Sequence, residues 1–340
     1  MDIEKMGGSV VYAKYIALAS KDYTLAPLKN KYKSALDYYA IDGAGNWGDE
    51  LFHYCSINTL KSITQNMQLR FTDVQSLKDT TEFVNAIYLL KLVIEEQENF
   101  MDEELYNILN DGEIFTKLED YSQRYPFYSP INNKRDIDGI KPICKVYTCS
   151  LALHGDLPNM WNEYAKGSGV SIGFKELERC MKAGEQVKII FGKVWYQEDD
   201  KKQCINALLK DVCEIFSLIP DAGCRKDVIQ TILVSAMNHM RIFMKDEMYS
   251  PEDEYRAVLI VPEEIIRSNQ LPEKFDNGDF IKENRTIPYI DVPFTSESIS
   301  HIIVGSGIKE GFSQVKIDIE DWLLQQNLSN INIYESNLYL

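Results

Sequence analysis

The chain has 340 residues, 45% of them hydrophobic, with 52 Asp and Glu against 36 Lys and Arg and a formal net charge of −16. That length supplies one large domain or two ordinary ones with a well-buried core, so disorder is not the default. The acidic excess repels nucleic-acid backbones and anionic lipid, which excludes general nucleic-acid or membrane-surface binding as a default function.

Seven cysteines, Cys55, Cys144, Cys149, Cys180, Cys204, Cys213 and Cys224, are odd in number and show no CxxC spacing. This reads as a reduced, cytoplasmic chain with no zinc grip. Asp2, Glu4 and Lys5 open the chain with no apolar core of a signal behind them. No apolar run approaches the roughly twenty residues that span a bilayer.

Ser9 to Tyr39 mixes Tyr, Leu, Ala and Lys at helical spacing, broken near Pro27, ahead of a loop at Asp42-Gly43-Ala44-Gly45-Asn46. Residues 1–45 are therefore expected to be a helical N-terminal extension, available to a protein partner. Lys29, Lys31, Lys33 and, further on, Lys61 are spread through predicted helices and read as solvated surface.

Leu51–Ser56 reads as a strand, Ile57–Asn66 as an amphipathic helix with Leu60 and Ile63 inward, and Leu69–Thr72 as a second strand. Phe83, Ile87, Leu90 and Ile94 recur at helical spacing and predict a helix over Thr81–Glu98, with acidic helical sequence continuing to Tyr121. Thr80 or Thr81 is the expected cap, with Asp79 and Glu82 as acids near its first turn. Pro126–Lys141 reads as a loop, and Ile143–Leu151 as a central strand.

Gly169–Phe174 and Val187–Tyr196 are the next strands, and Asp199–Met248 turns helical. Tyr255–Val261, Ser300–Gly305 and Asn332–Tyr334 complete the strands, with a helix at Ile319–Gln326. The fold class is α+β, with mixed strands and helical insertions. Residues 46–340 form a single domain in which 199–248 is a helical insertion.

Three stretches carry the candidate chemistry. His53 alternates with Leu51 and Cys55 on one strand face, while Phe52 and Tyr54 point the other way. A half-buried strand histidine is the plain reading, since no His, Asp or Glu partner is near in sequence. Trp161 and Tyr164 stand at i, i+3, which on a helical turn lets them share a face and clasp a flat ring, or lets both be core. The Ala165–Gly169 bend behind them has the composition of a pocket rim.

Glu252, Glu254 and Arg256 stand at i, i+2, i+4, so a strand would project all three from one face. Solvated ladders of this kind are common. A carboxylate pair on a rigid strand whose other face is apolar would also have perturbed proton affinities, which suits catalysis. Gly305-Ser306-Gly307 lacks both GxGxxG spacing and a GK[ST] ending and reads as an ordinary strand-to-helix turn. His154, His239 and His301 show no sequence partner. A divalent-metal nuclease built on Asp79, Glu82, Glu252 and Glu254 is a further alternative, weakened by the acidic chain and by Arg256 standing where such sites carry lysine.

In order, FHYCSINTLKSITQNMQLRFTDVQSLKDTTEF, MWNEYAKGSGVSIGF, EDEYRAVLI and ISHIIVGSG resemble the bacterial family of domain of unknown function 2971, from about Leu51 to the C-terminus. Lys78 and Thr80 depart from that family's Asn and Pro, and Cys55 precedes Ser56 where the family starts with His-Tyr-Thr/Ser. The pattern in turn resembles the ADP-ribosyltransferase superfamily. That resemblance implies a split mixed or antiparallel sheet and an NAD-dependent ADP-ribosyltransferase or NAD glycohydrolase, in a toxin or phage-defence effector. It implies NAD as substrate without a metal, and an acceptor not named by the sequence.

The same resemblance implies that His53 bonds the adenosine ribose and that Tyr164 and Trp161 stack on nicotinamide. Tyr54 and Arg256 would line the same nucleotide site. Glu254 would be the catalytic glutamate with Glu252 as its runner-up, and Glu254→Gln would nearly abolish turnover with little loss of folding. A non-catalytic nucleotide-binding, sensor or protein-interaction module is the alternative.

Overall fold

The computed structural model describes residues 4–19, 21, 23–25, 50–76, 82–119, 144–181, 183 and 187–338. The Asp42–Asn46 loop, the Pro126–Lys141 loop, Lys29, Lys31, Lys33, Asp79, Thr80 and Thr81 lie outside the described residues.

Local sequence explains the first unit. Strand β1, Glu50–Cys55, ends at Ser56, whose side chain accepts a hydrogen bond from the Thr59 N–H at 3.1 Å and caps the helix Ile57–Asn66. Met67, left-handed at φ 53°, closes that helix by donating its N–H to the Ile63 carbonyl. Leu60 and Ile63 are buried toward the sheet, and β2, Gln68–Asp73, follows at once.

The remaining strands are β3 Cys144–Ala152, β4 Val170–Lys175, β5 Lys188–Lys193, β6 Glu254–Pro262, β7 Asp276–Lys282, β8 Arg285–Pro293, β9 Ile299–Val304 and β10 Asn332–Glu335. Together they form one mixed ten-stranded sheet, ordered β10-β9-β4-β1-β3-β2-β8-β7, with β6 also on β3 and β5 on β6. All ladders are antiparallel except β9–β10. One edge of β3 pairs with β6 along its whole length, from Cys144↔Pro262 to Ala152↔Glu254. The other edge is shared, by β2 at Thr148 and Tyr147 and by β1 only at Ala152. The sheet therefore parts between β1 and β2, and Ser150 sits at the parting.

The two sheet faces carry different cores. Leu51, Cys55, Tyr147, Cys149, Leu151, Tyr255 and Ala257 pack with Leu60 and Ile63 and with Val315, Ile319 and Leu323 of the helix Phe312–Gln325. On the opposite face Phe52, Tyr54 and Ala152 pack on Met160, Trp161 and Ala165, and Val258 and Ile260 pack on Ile242 and Phe243.

A third core is helical apart from Met6, Trp195, Ile219 and Met244. It joins Met6, Val11, Tyr15 and Leu18 around the helix Ser9–Ala19 to the helices Glu82–Glu96, Glu103–Leu109, Gly112–Glu119, Glu198–Leu218 and Ala222–Met240. The N-terminal helix and the 199–248 stretch, separate in sequence, thus share one apolar interior. Buried Arg241 ties this layer together by donating from Nη1 to the Leu118 carbonyl at 2.6 Å. Among the described residues no helix is long and apolar enough to cross a membrane.

Several expectations are corrected. The Asp276–Lys282/Arg285–Pro293 hairpin was not foreseen, and its two-residue turn sets Glu283 and Asn284 at φ 50° and 62°, a twist that matches the flanking strands. Glu252 does not lie on the strand with Glu254. It ends a short 3-10 turn, Glu247–Glu252, because Pro251 has no N–H for a ladder and Asp253 turns left-handed at φ 43°. Among the described residues 82–119 there are three α-helices, with breaks after Glu96 and Leu109, and the last long helix starts at Phe312, seven positions before Ile319.

Two glycine turns interlock. The Gly305 N–H donates to the Gly169 carbonyl at 3.0 Å and the Gly307 N–H to the Gly167 carbonyl at 3.1 Å, so the strand-to-helix turn docks on the bend after Trp161. A Cβ on Gly307 would stand 2.2 Å from the Gly167 carbonyl oxygen. Gly307→Ala is expected to lower stability by roughly 2–4 kcal/mol, because backbone rather than a flexible side chain must move. A urea-unfolding midpoint unchanged from wild type would refute that.

Candidate functional site

A buried charge cluster forms at the start of β6. Arg256 donates from Nε to Glu254 Oε1 at 2.6 Å and from Nη2 to Glu254 Oε2 at 3.0 Å, a two-pronged pair enclosed by the sheet. The remaining guanidinium nitrogen, Nη1, donates to the Ile242 carbonyl at 2.6 Å. Lys245 bridges the two glutamates, 2.5 Å from Glu252 Oε2 and 3.2 Å from Glu254 Oε2. Two cations thus balance two carboxylates. The Tyr196 hydroxyl accepts from the Glu254 N–H at 2.9 Å.

Burial alone would push the Glu254 carboxyl up. Arg256 and Lys245, with hydrogen bonds from Arg256 and the Ser150 hydroxyl, outweigh it and bring the group down from 4.5 to about 2. Burial likewise lowers Lys245, but the glutamates reverse the sign and it stays charged. Glu254 is only 3% exposed, whereas Glu252 is 15% exposed at its side chain and reaches the rim. There the Tyr164 hydroxyl donates to Glu252 Oε1 at 3.5 Å. Burial of its hydroxyl end, and then the charges of Glu252 and Glu254, raise the Tyr164 phenol, which stays a donor.

Trp161 and Tyr164 part company. Trp161 is fully buried in the short helix Pro158–Glu163, its Nε1 donating to Asp156 Oδ1 at 2.7 Å and its ring edge-on to Tyr54 at 5.0 Å. Tyr164, the residue after that helix, is 45% exposed. They do not share a face, because the helix ends between them. Trp161 has no ring face free to stack on a ligand. Tyr54 is equally enclosed, its hydroxyl donating to the His154 carbonyl and accepting from the Leu157 N–H, both at 2.9 Å.

His53 is on the other side of the sheet. Phe52, Ala152 and Glu254 are paired across three strands and share a face, so His53, one position along, faces away with Leu51 and Cys55. His53 Nδ1 lies 3.4 Å from the Ser150 carbonyl oxygen, in the gap where neither β1 nor β2 pairs with β3. Burial lowers the His53 pKa and the Ser150 bond partly restores it, so the ring is neutral near pH 7. Ser150 is the residue that both touch, by its carbonyl for His53 and by its hydroxyl for Glu254.

The structure therefore brings together Tyr164, Glu252, Glu254 and Arg256, and separates from them His53, Tyr54 and Trp161. Sequence reasoning missed Lys245, Tyr196 and Ser150, which reach the cluster from distant segments and carry no local signal. His154 and His301 do have partners, Asp253 Oδ2 at 3.1 Å and Glu50 Oε2 at 3.4 Å. All seven cysteines are free thiols.

No curated protein and no solved structure matches the chain. One family model matches residues 160–257, from the helix that carries Trp161 to Ala257 on β6, and so includes the four charged members of the cluster, Lys245, Glu252, Glu254 and Arg256, but not Ser150. Over that stretch the chain is similar to the family described as Protein of unknown function (DUF2971).

Proposed function

We propose that the rim formed by Tyr164 and Glu252 is the reacting end of an NAD site, and that the chain is an NAD-dependent ADP-ribosyltransferase or NAD glycohydrolase. The observation that carries this reading is an exposed tyrosine ring hydrogen-bonded to a carboxylate that is itself held by a buried lysine. As nicotinamide leaves, positive charge develops on the ribose, and a preoriented carboxylate stabilises it without reorganising. Tyr164 supplies the stacking face, and Glu252 is the carboxylate nearer to solvent. Glu254 holds Lys245 and Arg256 in place from within. No metal is part of this reading, and a role as toxin or phage-defence effector rests on the sequence resemblance alone.

Purified protein incubated with NAD and cell lysate is expected to release nicotinamide, measured by mass spectrometry. Glu252→Gln is expected to slow that release by about 10²–10³-fold, the typical cost of removing one positioned group that meets developing charge. No release from the wild-type protein would overturn the proposal. It would favour the second reading, a non-catalytic nucleotide-binding, sensor or protein-interaction module, which the closed Arg256–Glu254 pair supports because such a pair also serves as a purely structural anchor.

A further inference from the structure

A groove of about 280 Å³ opens beside the helix Ile57–Asn66 and the strand β2, where the sheet parts between β1 and β2. His53 forms part of its lining, with the side chains of Asn58 and Asn66 along the helix and Gln68 and Arg70 along the strand.

Its hydrogen-bonding character is fixed by the neighbours. A carbonyl oxygen only accepts, so the contact between His53 Nδ1 and the Ser150 carbonyl places the ring hydrogen on Nδ1 and leaves Nε2 as an acceptor. Gln68 spends its Nε2 on the Lys274 carbonyl at 2.7 Å, which leaves its oxygen as a second acceptor. Asn58 and Asn66 offer both donors and acceptors. Arg70 is the groove's cation, and it is neutralised by a two-pronged pair with Asp291 at 2.9 and 2.8 Å and stacked 3.5 Å over the Tyr289 ring.

The lining is thus net neutral, with paired acceptors, planar amides and no uncommitted cation for a phosphate. Its volume falls just below the roughly 300–1,000 Å³ of ligand sites, which suits a single ring and excludes an entire dinucleotide. We propose that this groove binds a neutral polyhydroxylated ring, a monosaccharide-class ligand whose hydroxyls donate to His53 Nε2 and Gln68 and are bracketed by the two asparagines. The site is distinct from the Tyr164–Glu252 rim and does not rest on the NAD reading.

The test is saturation-transfer NMR on the full chain with D-ribose, D-glucose and N-acetylglucosamine, and with ribose 5-phosphate as the charged counterpart. At least one neutral sugar is expected to bind, at least about tenfold more tightly than ribose 5-phosphate, a difference of about 1.4 kcal/mol. Asn58→Ala/Asn66→Ala changes two exposed positions and leaves the helix intact. It is expected to weaken neutral-sugar binding by at least about tenfold. Absence of transfer from every neutral sugar, equal or better binding of the phosphate, or binding unchanged in the double variant would each overturn the proposal. The readout is binding in the groove and not nicotinamide release, so failure here and failure of the NAD reading are separately visible.

Discussion

Glu254→Gln is expected to lower folding stability by roughly 3–5 kcal/mol, the cost of leaving a buried cation without its partner. Arg256 is 3% exposed at its side chain and directs two nitrogens at Glu254, so a neutral amide leaves the enclosed guanidinium facing a weakened acceptor in place of a carboxylate. Lys245 keeps Glu252 and loses its second carboxylate. Replacing both members of the pair, as Glu254→Met with Arg256→Met, is expected to recover much of the loss, because an apolar pair of similar volume has no desolvation to offset. Urea unfolding of the three proteins checks this, and a single variant within about 1 kcal/mol of wild type would remove the anchor role.

The same residue sets an acid limb. Its folded pKa, about 2, lies below its ordinary 4.5, so its contribution is complete above pH 4.5 and is lost as pH falls toward 2. At neutral pH that contribution is worth roughly 3 kcal/mol. Wild type is expected to lose stability through this window more steeply than Glu254→Gln, which carries no titrating group at that position. Parallel stability profiles for the two proteins below pH 4.5 would contradict the depressed pKa. The folding cost also changes how activity data should be read, since loss of turnover in Glu254→Gln does not separate chemistry from collapse. Glu252→Gln at the rim does.

The parts of this architecture legible in sequence are those whose pattern is local. The helix Ile57–Asn66, by the spacing of Leu60 and Ile63, and the apolar strand from Tyr255 to Val261, by composition, announce themselves locally. The β7–β8 hairpin was hidden because its edge strand, DNGDFIK, buries almost nothing and its turn uses Glu283 and Asn284 where glycine is the usual signal. Glu252 was misplaced because i, i+2, i+4 spacing means one strand face only while the backbone stays extended, and Pro251 and Asp253 end that condition. Lys245 was invisible for a different reason. Its role comes from the turn after the helix Ala222–Met240 folding back on β6, a contact that no window of sequence contains.

Trp161→Ala is expected to cost roughly 3–5 kcal/mol, as deletion of a fully buried aromatic ring does when its surroundings cannot collapse. Here they are poorly able to collapse. One side of the ring meets Tyr54 edge-on at 5.0 Å, and another approaches Gly305, where a Cβ would already stand 3.1 Å from the indole. Its N–H is one of the donors on Asp156, whose Oδ1 also takes the Ser336 hydroxyl at 2.6 Å and whose Oδ2 takes the Asn337 N–H at 2.8 Å, so the indole helps fasten the C-terminal segment. Trp161→Phe keeps most of the ring and loses the Asp156 bond, and is expected to cost about 1–2 kcal/mol, close to one hydrogen bond to a charged group. If Trp161 instead stacked on nicotinamide, Trp161→Phe would leave stability unchanged and raise KM for NAD. Unfolding midpoints and nicotinamide-release kinetics on the two variants distinguish these cases, and the fully enclosed ring predicts the first.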